Sequence, residues 1–288
     1  MAELYWIETL GCPKNQVDSD KLVGTMLADG MQPAATLEDA DLVVVNTCAF
    51  VEEARQESID TILSLEQART PGAELVVTGC LAERYGDELS VAMPEIDKVA
   101  PFGVPVTLGS TRKAGAEKTS QFDLLELPRP ASSVPWAYVK VAEGCDRNCG
   151  FCAIPSFRGK QRSRSIESIL TEVDQLEAAE VVLVAQDLAA FGRDQGQGSR
   201  QIVPLVKQVA ERVPWVRLLY LYPSDLSDEL IDAICGTGVP YFDLSLQHVS
   251  RPLMRRMRRW GNGEVFLERI DAIRRREPSA TFRSNFIV

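Results

Sequence analysis

The sequence predicts an α/β protein in two parts. An N-terminal domain is built on a doubly wound parallel sheet, and a partial TIM-like (β/α) barrel follows, apparently truncated at its C-terminus. Three observations carry this reading. The apolar runs at residues 42–46 and 75–78 are continuous, the mark of strands buried on both faces. Strands alternate with helical segments throughout, as parallel sheets require. From Trp136 onward, five β/α repeats follow one another, and each of the first four strands leads into a polar or chemically unusual residue.

Taken in order, Leu4–Thr9 reads as a strand, and a helix is expected to start near Val17-Asp18-Ser19. The run at 42–46 leads to Thr47-Cys48-Ala49 and a helix from about Val51 to Ala68. The run at 75–78 leads to Gly79-Cys80-Leu81, and a further short strand is expected at Lys98–Ala100. Residues 109–115 are polar, and Leu127-Pro128-Arg129-Pro130-Ala131-Ser132-Ser133 has the composition of a linker, which puts the domains at 1–132 and 133–288. In the second part the expected strands are Trp136–Val141, Val181–Ala185, Val216–Leu221, Tyr241–Leu246 and Phe282–Val288. Helices are expected at about Ile166–Ala179, Asp228–Cys235 and Glu264–Arg276. A chain ending on an apolar strand leaves backbone groups in need of a partner, so at least one more strand and helix is expected beyond it.

Composition narrows the class. The chain has 288 residues, 45% of them hydrophobic and 25% charged, which describes an ordinary globular protein of two domains. No apolar run suggests a membrane span or a signal peptide, so a cytoplasmic protein with no membrane partner is expected. Seven cysteines in such a chain point to metal or redox chemistry before disulfides. The net charge of −10 does not attract nucleic acid in bulk and favours a basic partner.

The cysteines fall into two sets. Cys145, Cys149 and Cys152 stand at CxxxCxxC spacing, close enough for one short loop to turn three thiolates toward one point. Three thiolates can hold three irons of a 4Fe–4S cubane and leave the fourth iron open for chemistry. Zinc is the competing reading, but zinc sites pair CxxC with a second CxxC or with histidines, and His248 is the only histidine in the chain. Cys12, Cys48 and Cys80 are far apart in sequence, yet each lies just beyond the end of an expected strand. In a parallel sheet those ends share one edge, where ligands bind. Buried cysteines are common, but the shared position favours a second three-cysteine cluster.

With Phe151 just before the third cysteine, the CxxxCxxC loop resembles the radical S-adenosylmethionine (SAM) enzymes. Two three-cysteine sites in this order are similar to the methylthiotransferases within them, and the resemblance covers essentially the whole chain. It implies two 4Fe–4S clusters, SAM as cofactor, and a radical-SAM barrel for the second domain. In that family the open iron of the Cys145/Cys149/Cys152 cluster binds SAM and yields a 5′-deoxyadenosyl radical. The other cluster serves sulfur transfer, and a second SAM gives the methyl group. Family members continue into a small β-barrel called TRAM, which this sequence lacks. The stretch Gly11-Cys12-Pro13-Lys14-Asn15-Gln16-Val17-Asp18-Ser19 resembles the branch that modifies an aspartate β-carbon of small-subunit ribosomal protein twelve. Tyr222-Pro223, Phe242–His248 and Arg283–Val288 resemble it too. The implied partners are that basic protein, an electron donor such as flavodoxin or ferredoxin, and a sulfur donor.

Phe151, Gln186, Asp187, Ser224 and Gln247 lie at the cluster loop or at strand C-terminal ends, and are the candidate SAM contacts; ordinary packing and loop capping are the competing readings. Arg158, Arg162 and Arg164 are expected on a solvated loop, His248 and Cys235 in structural roles, and Arg251–Arg259 as an amphipathic segment with a solvated basic face. Two other functions compete: a tRNA adenosine methylthiotransferase, and a non-catalytic metal- or cluster-binding protein.

Overall fold

The computed structural model describes residues 3–106, 122–196 and 199–288, so the polar stretch 109–115 lies outside the described residues. The chain divides into two compact units, Met1–Pro130 and Ala131–Val288.

The first unit runs β1 (Leu4–Thr9), α1 (Pro13–Ala28), β2 (Gln32–Pro33), β3 (Leu42–Thr47), α2 (Glu52–Ala68), β4 (Glu74–Gly79), α3 (Cys80–Ala92) and β5 (Lys98–Ala100). Its sheet has the order β2-β1-β3-β4-β5 with every pair parallel. Every residue of β3 is buried, which is why Leu42–Val45 are continuously apolar and not alternating, and the buried Asn46 and Thr47 that end it donate to Asn15 O and Thr78 O. Helix α1 begins at Pro13, four residues before the expected start. Proline suits the first helical position, since its missing N–H would be unbonded there anyway. The sequence reading passed over α3, which follows β4 without a connecting loop.

That junction depends on Gly79. Its φ is +89°, and a Cβ there would stand 2.3 Å from Asn46 Oδ1 and 2.6 Å from Thr47 N. Gly79→Ala therefore combines an unfavourable backbone conformation with a clash against neighbouring backbone. It should destabilise the first unit by about 2–3 kcal/mol. Urea unfolding followed by circular dichroism checks this, and an unchanged midpoint would mean the sheet edge yields freely.

The second unit runs β6 (Trp136–Lys140), β7 (Ala142–Glu143), α4 (Ile154–Arg158), β8 (Arg162–Ser163), α5 (Ile166–Leu176), β9 (Glu180–Val184), α6 (Ile202–Ala210), β10 (Trp215–Leu221), α7 (Asp228–Cys235), β11 (Tyr241–Gln247), α8 (Arg251–Arg256), α9 (Gly263–Arg276) and β12 (Thr281–Phe286). Its parallel sheet keeps sequence order, β6-β9-β10-β11-β12, as an arc of a barrel does. Val139, Leu183, Leu218 and Phe242 of the strands are fully or almost fully buried in one core with Ile169, Val173, Leu205, Val206 and Ile234 of the helices. Ser165 and Ser227 cap α5 and α7 by accepting hydrogen bonds from the backbone N–H groups of Ser168 and Leu230. Strand pairing shifts register near the C-terminal ends of β10 and β11, where Tyr220 and Gln247 have φ of 65° and 71°. Such irregularities cluster where a barrel rim carries a site.

One expectation for this unit fails. Arg158 and Arg164 do not lie on a solvated loop: both are buried, bonded to Glu143 and Glu172 respectively, and only Arg162 remains exposed. An arginine can be buried when a carboxylate and further acceptors meet its fork, and Arg164 also donates to Lys140 O and to Ser168. Cys235 is partly buried and packs against the core, as a structural residue does. No helix among the described residues is long and apolar enough to cross a membrane.

Candidate cluster and cofactor site

In the first unit the strand register brings the cysteines together. Thr9 pairs with Asn46 and Thr47 with Gly79, so β1, β3 and β4 end almost level. Cys48 and Cys80 directly follow paired residues on adjacent strands, which lie about 4.8 Å apart. Gly11 comes so close to Cys48 that a Cβ on it would stand 2.9 Å from Cys48 Sγ, and this carries the next residue, Cys12, to the same edge. Asn15 joins all three strand ends. Its Nδ2 donates to Leu10 O and to Thr47 O, both at 2.9 Å, and the Cys80 thiol reaches its Oδ1 at 3.7 Å. Cys12 is the N-cap of α1 and Cys80 the first residue of α3. Helix N-termini favour the anionic form of a thiol, which is the form that binds metal.

In the second unit the CxxxCxxC loop runs from β7 to α4. Cys145 N–H donates to Gly159 O at 3.0 Å and Cys152 N–H to Cys149 O at 3.2 Å, so both ends of the loop are fixed by backbone bonds. Burial pushes the Cys145 thiol up to about 11; the charges of Asp187, Cys152 and Cys149 add to this, against a hydrogen bond from the Arg147 backbone. Among the described residues, no group of three His, Cys, Asp or Glu side chains could hold a single metal ion. A cubane makes a different demand, because each thiolate meets a different corner, so its ligands stand further apart than those of one ion.

Charged residues that sequence reasoning passed over surround this loop. Glu143, just before it, accepts from Lys140 Nζ at 2.9 Å, Arg158 Nη1 at 2.9 and 3.0 Å, Gln186 Nε2 at 2.5 Å and Gly144 N at 3.1 Å. Burial alone would raise its pKa, but the Arg158 and Lys140 charges and their hydrogen bonds hold the carboxyl well below the usual range. Arg147, inside the loop, donates from Nε to Asp187 at 2.6 Å and from Nη2 to Asp225. Burial works against its charge, and the two carboxylates more than restore it. Arg200 also reaches Asp225, at 2.7 Å. The available signal was position: Glu143 and Arg147 flank or interrupt the cysteine motif itself.

The candidate SAM contacts separate on this frame. Gln186 and Asp187 follow β9 and are joined to the cysteine loop through Glu143 and Arg147. Each keeps one buried acceptor, Gln186 Oε1 and Asp187 Oδ1, without a hydrogen bond. Ser224 donates to Asp225 Oδ1 at 3.3 Å, which links it indirectly to Arg147. Phe151 sits on the loop and is 39% exposed, so it is available to a ligand and is not a core residue. Gln247 ends β11, and His248 Nδ1 accepts from Ser250 N–H at 2.8 Å, a structural role.

Comparison with known proteins finds relatives of both units. Residues 4–101 match the model described as "Uncharacterized protein family UPF0004", and residues 139–286 match the "Radical SAM superfamily". The ribosomal protein uS12 methylthiotransferase RimO of Moorella thermoacetica is 39% identical, over 97% of this chain and 68% of that protein. This chain belongs to the RimO family of radical-SAM methylthiotransferases. The RimO of Sorangium cellulosum is 40% identical over 97% of this chain and 62% of its own length. This RimO-family chain thus spans about two thirds of the length of the curated relatives it matches. The fold is also that of a solved radical S-adenosylmethionine methyltransferase, TsrM from Kitasatospora setae. It superposes with a TM-score of 0.57 at 16% identity, covering 99% of this chain and 66% of TsrM.

Proposed function

We propose that this chain is the cluster- and SAM-binding part of an enzyme that adds a methylthio group to the β-carbon of an aspartate in ribosomal protein uS12. In this reading Cys145, Cys149 and Cys152 hold one 4Fe–4S cluster, and Cys12, Cys48 and Cys80 hold a second. The observation that carries the reading is 40% identity to a uS12 methylthiotransferase along 97% of the chain. When bound, the clusters and SAM supply the electron, sulfur and methyl group of the reaction.

The chain's own residues bind, orient and exclude water. The donor set suits iron–sulfur clusters: two groups of three thiols, one ordered by a short loop and one by three level strand ends. Glu143, held by Lys140 and Arg158, fixes the strand end that leads into the loop. The bare acceptors of Gln186 and Asp187 suit a ligand rich in donors, such as the ammonium and hydroxyl groups of SAM. Phe151, Ser224 and Gln247 complete the cofactor's surroundings in this reading. The substrate is a basic protein, which suits a chain of net charge −10. An external electron donor and a sulfur donor complete the turnover.

The test reconstitutes the protein without oxygen, reduces it, and incubates it with SAM and either uS12 or isopentenyl-adenosine tRNA. The expected result is 5′-deoxyadenosine together with a methylthio mass gain on uS12. A gain on tRNA alone would overturn the substrate assignment, and the absence of 5′-deoxyadenosine would overturn the chemistry.

A further inference from the structure

The basic run Arg251–Arg259 is not uniform. Arg251, Arg255, Arg256 and Arg258 are exposed, but Arg259 turns inward. Its Nη1 donates to Cys149 Sγ at 3.5 Å and its Nη2 to Ser245 O, and its guanidinium lies 4.1 Å from the centre of the Tyr222 ring. Arg147 lies against that ring as well, at 3.7 Å, so two guanidinium groups share one buried tyrosine. Their charges are balanced differently. Arg147 is met by Asp187 and Asp225, whereas no carboxylate among the described residues pairs with Arg259.

The backbone around Arg259 is pressed onto the cysteine loop. Gly150 N–H donates to Met257 O at 2.9 Å, and a Cβ on Gly150 would stand 2.8 Å from Arg256 O. Trp260 N–H donates to the Tyr222 hydroxyl at 3.3 Å. Met254 anchors the segment in the core. Arg259 is therefore held beside Cys149 by the loop, by the residue after β10 and by its own backbone bond to Met254 O at the end of α8, and does not drift there as a surface side chain would.

We infer that Arg259 is a positioning residue that sets the reduction potential of the cluster held by Cys145, Cys149 and Cys152. A positive charge and an N–H donor on a ligating sulfur stabilise the extra electron of the reduced state, and in a partly buried setting the effect is not screened away. The planar fork matters as much as the charge, since it spans Cys149 Sγ and Ser245 O at once. This inference rests on the assignment of those three cysteines as cluster ligands.

The test is an EPR-monitored redox titration of that cluster, with Cys12, Cys48 and Cys80 replaced by alanine so that one cluster is read. The parent protein is measured first; failure to take up iron there would count against the cluster assignment and not against Arg259. Arg259→Gln is expected to take up iron and to titrate at a more negative potential. A tenfold loss in the equilibrium constant for electron uptake corresponds to a shift of about 59 mV. Arg255→Gln, which removes an exposed charge nearby, is expected to leave the potential unchanged. A loaded Arg259→Gln protein at the parent potential would overturn the inference, as would an equal shift in Arg255→Gln. Should Arg259→Gln fail to bind iron, Arg259→Lys decides. It keeps the charge but cannot span both acceptors, so a potential below the parent's is expected, and the parent value overturns the inference. Loss of iron from both variants with the fold intact also overturns it, because Arg259 would then serve assembly and not potential.

Discussion

Cys145→Ala is expected to stop SAM cleavage, with 5′-deoxyadenosine falling to the level found without protein. The residue is the first ligand of the proposed cluster and the best anchored: its backbone donates to Gly159 O, and its sulfur accepts from Arg147 N–H at 3.4 Å. Alanine removes one corner's thiolate and leaves a cubane with two protein ligands on this loop. The only histidine, His248, is engaged with Ser250 N–H and does not replace it. Bound iron should fall from about eight to about four per chain, because the cysteines of the first unit are untouched. Iron and sulfide assays together with product chromatography check both halves. Wild-type cleavage by the variant would remove Cys145 from the site.

Glu143→Gln is expected to destabilise the second unit by about 3–5 kcal/mol. The side chains of Lys140 and Arg158 are 0% and 2% exposed, and Glu143 is 16% exposed between them. Glutamine keeps the shape and the acceptor oxygen, but takes away the negative charge that offsets two cations removed from water. The pH dependence has a definite sign. Glu143's carboxyl is held below its unfolded value of about 4.3, so its contribution is complete above about pH 4.3 and is lost as pH falls through the lower folded value. The wild-type protein should therefore lose stability on acidification through this window, and Glu143→Gln should lose less. Urea unfolding at neutral pH and at about pH 2–3, inside that window, distinguishes the two. Equal stability of the two proteins at neutral pH would mean that the cations find other partners at no cost. Since Glu143 also accepts from Gly144 N–H and Gln186, slower iron uptake by the adjoining loop should accompany the loss.

The sequence by itself determined the fold class, because continuous apolar runs have few alternatives to strands buried on both faces. It also determined where the six cysteines fall, since spacing places Cys145, Cys149 and Cys152 on one loop and strand ends place Cys12, Cys48 and Cys80 on one edge. Helix α3 was not legible: a helix that starts directly after the last residue of a strand has no turn signal between them, only Gly79 at the strand's end. The tertiary structure alone decided the fate of the arginines. In sequence, Arg158, Arg164 and Arg259 look like the exposed arginines beside them. Whether such a side chain is solvated or buried depends on an acceptor that arrives from elsewhere in the chain: Glu143 for Arg158, Glu172 for Arg164, and Cys149 with the Tyr222 ring for Arg259. Local pattern records what a residue is and which face it occupies. It does not record a partner 110 residues away, and the electrostatics of this site are made of such pairs.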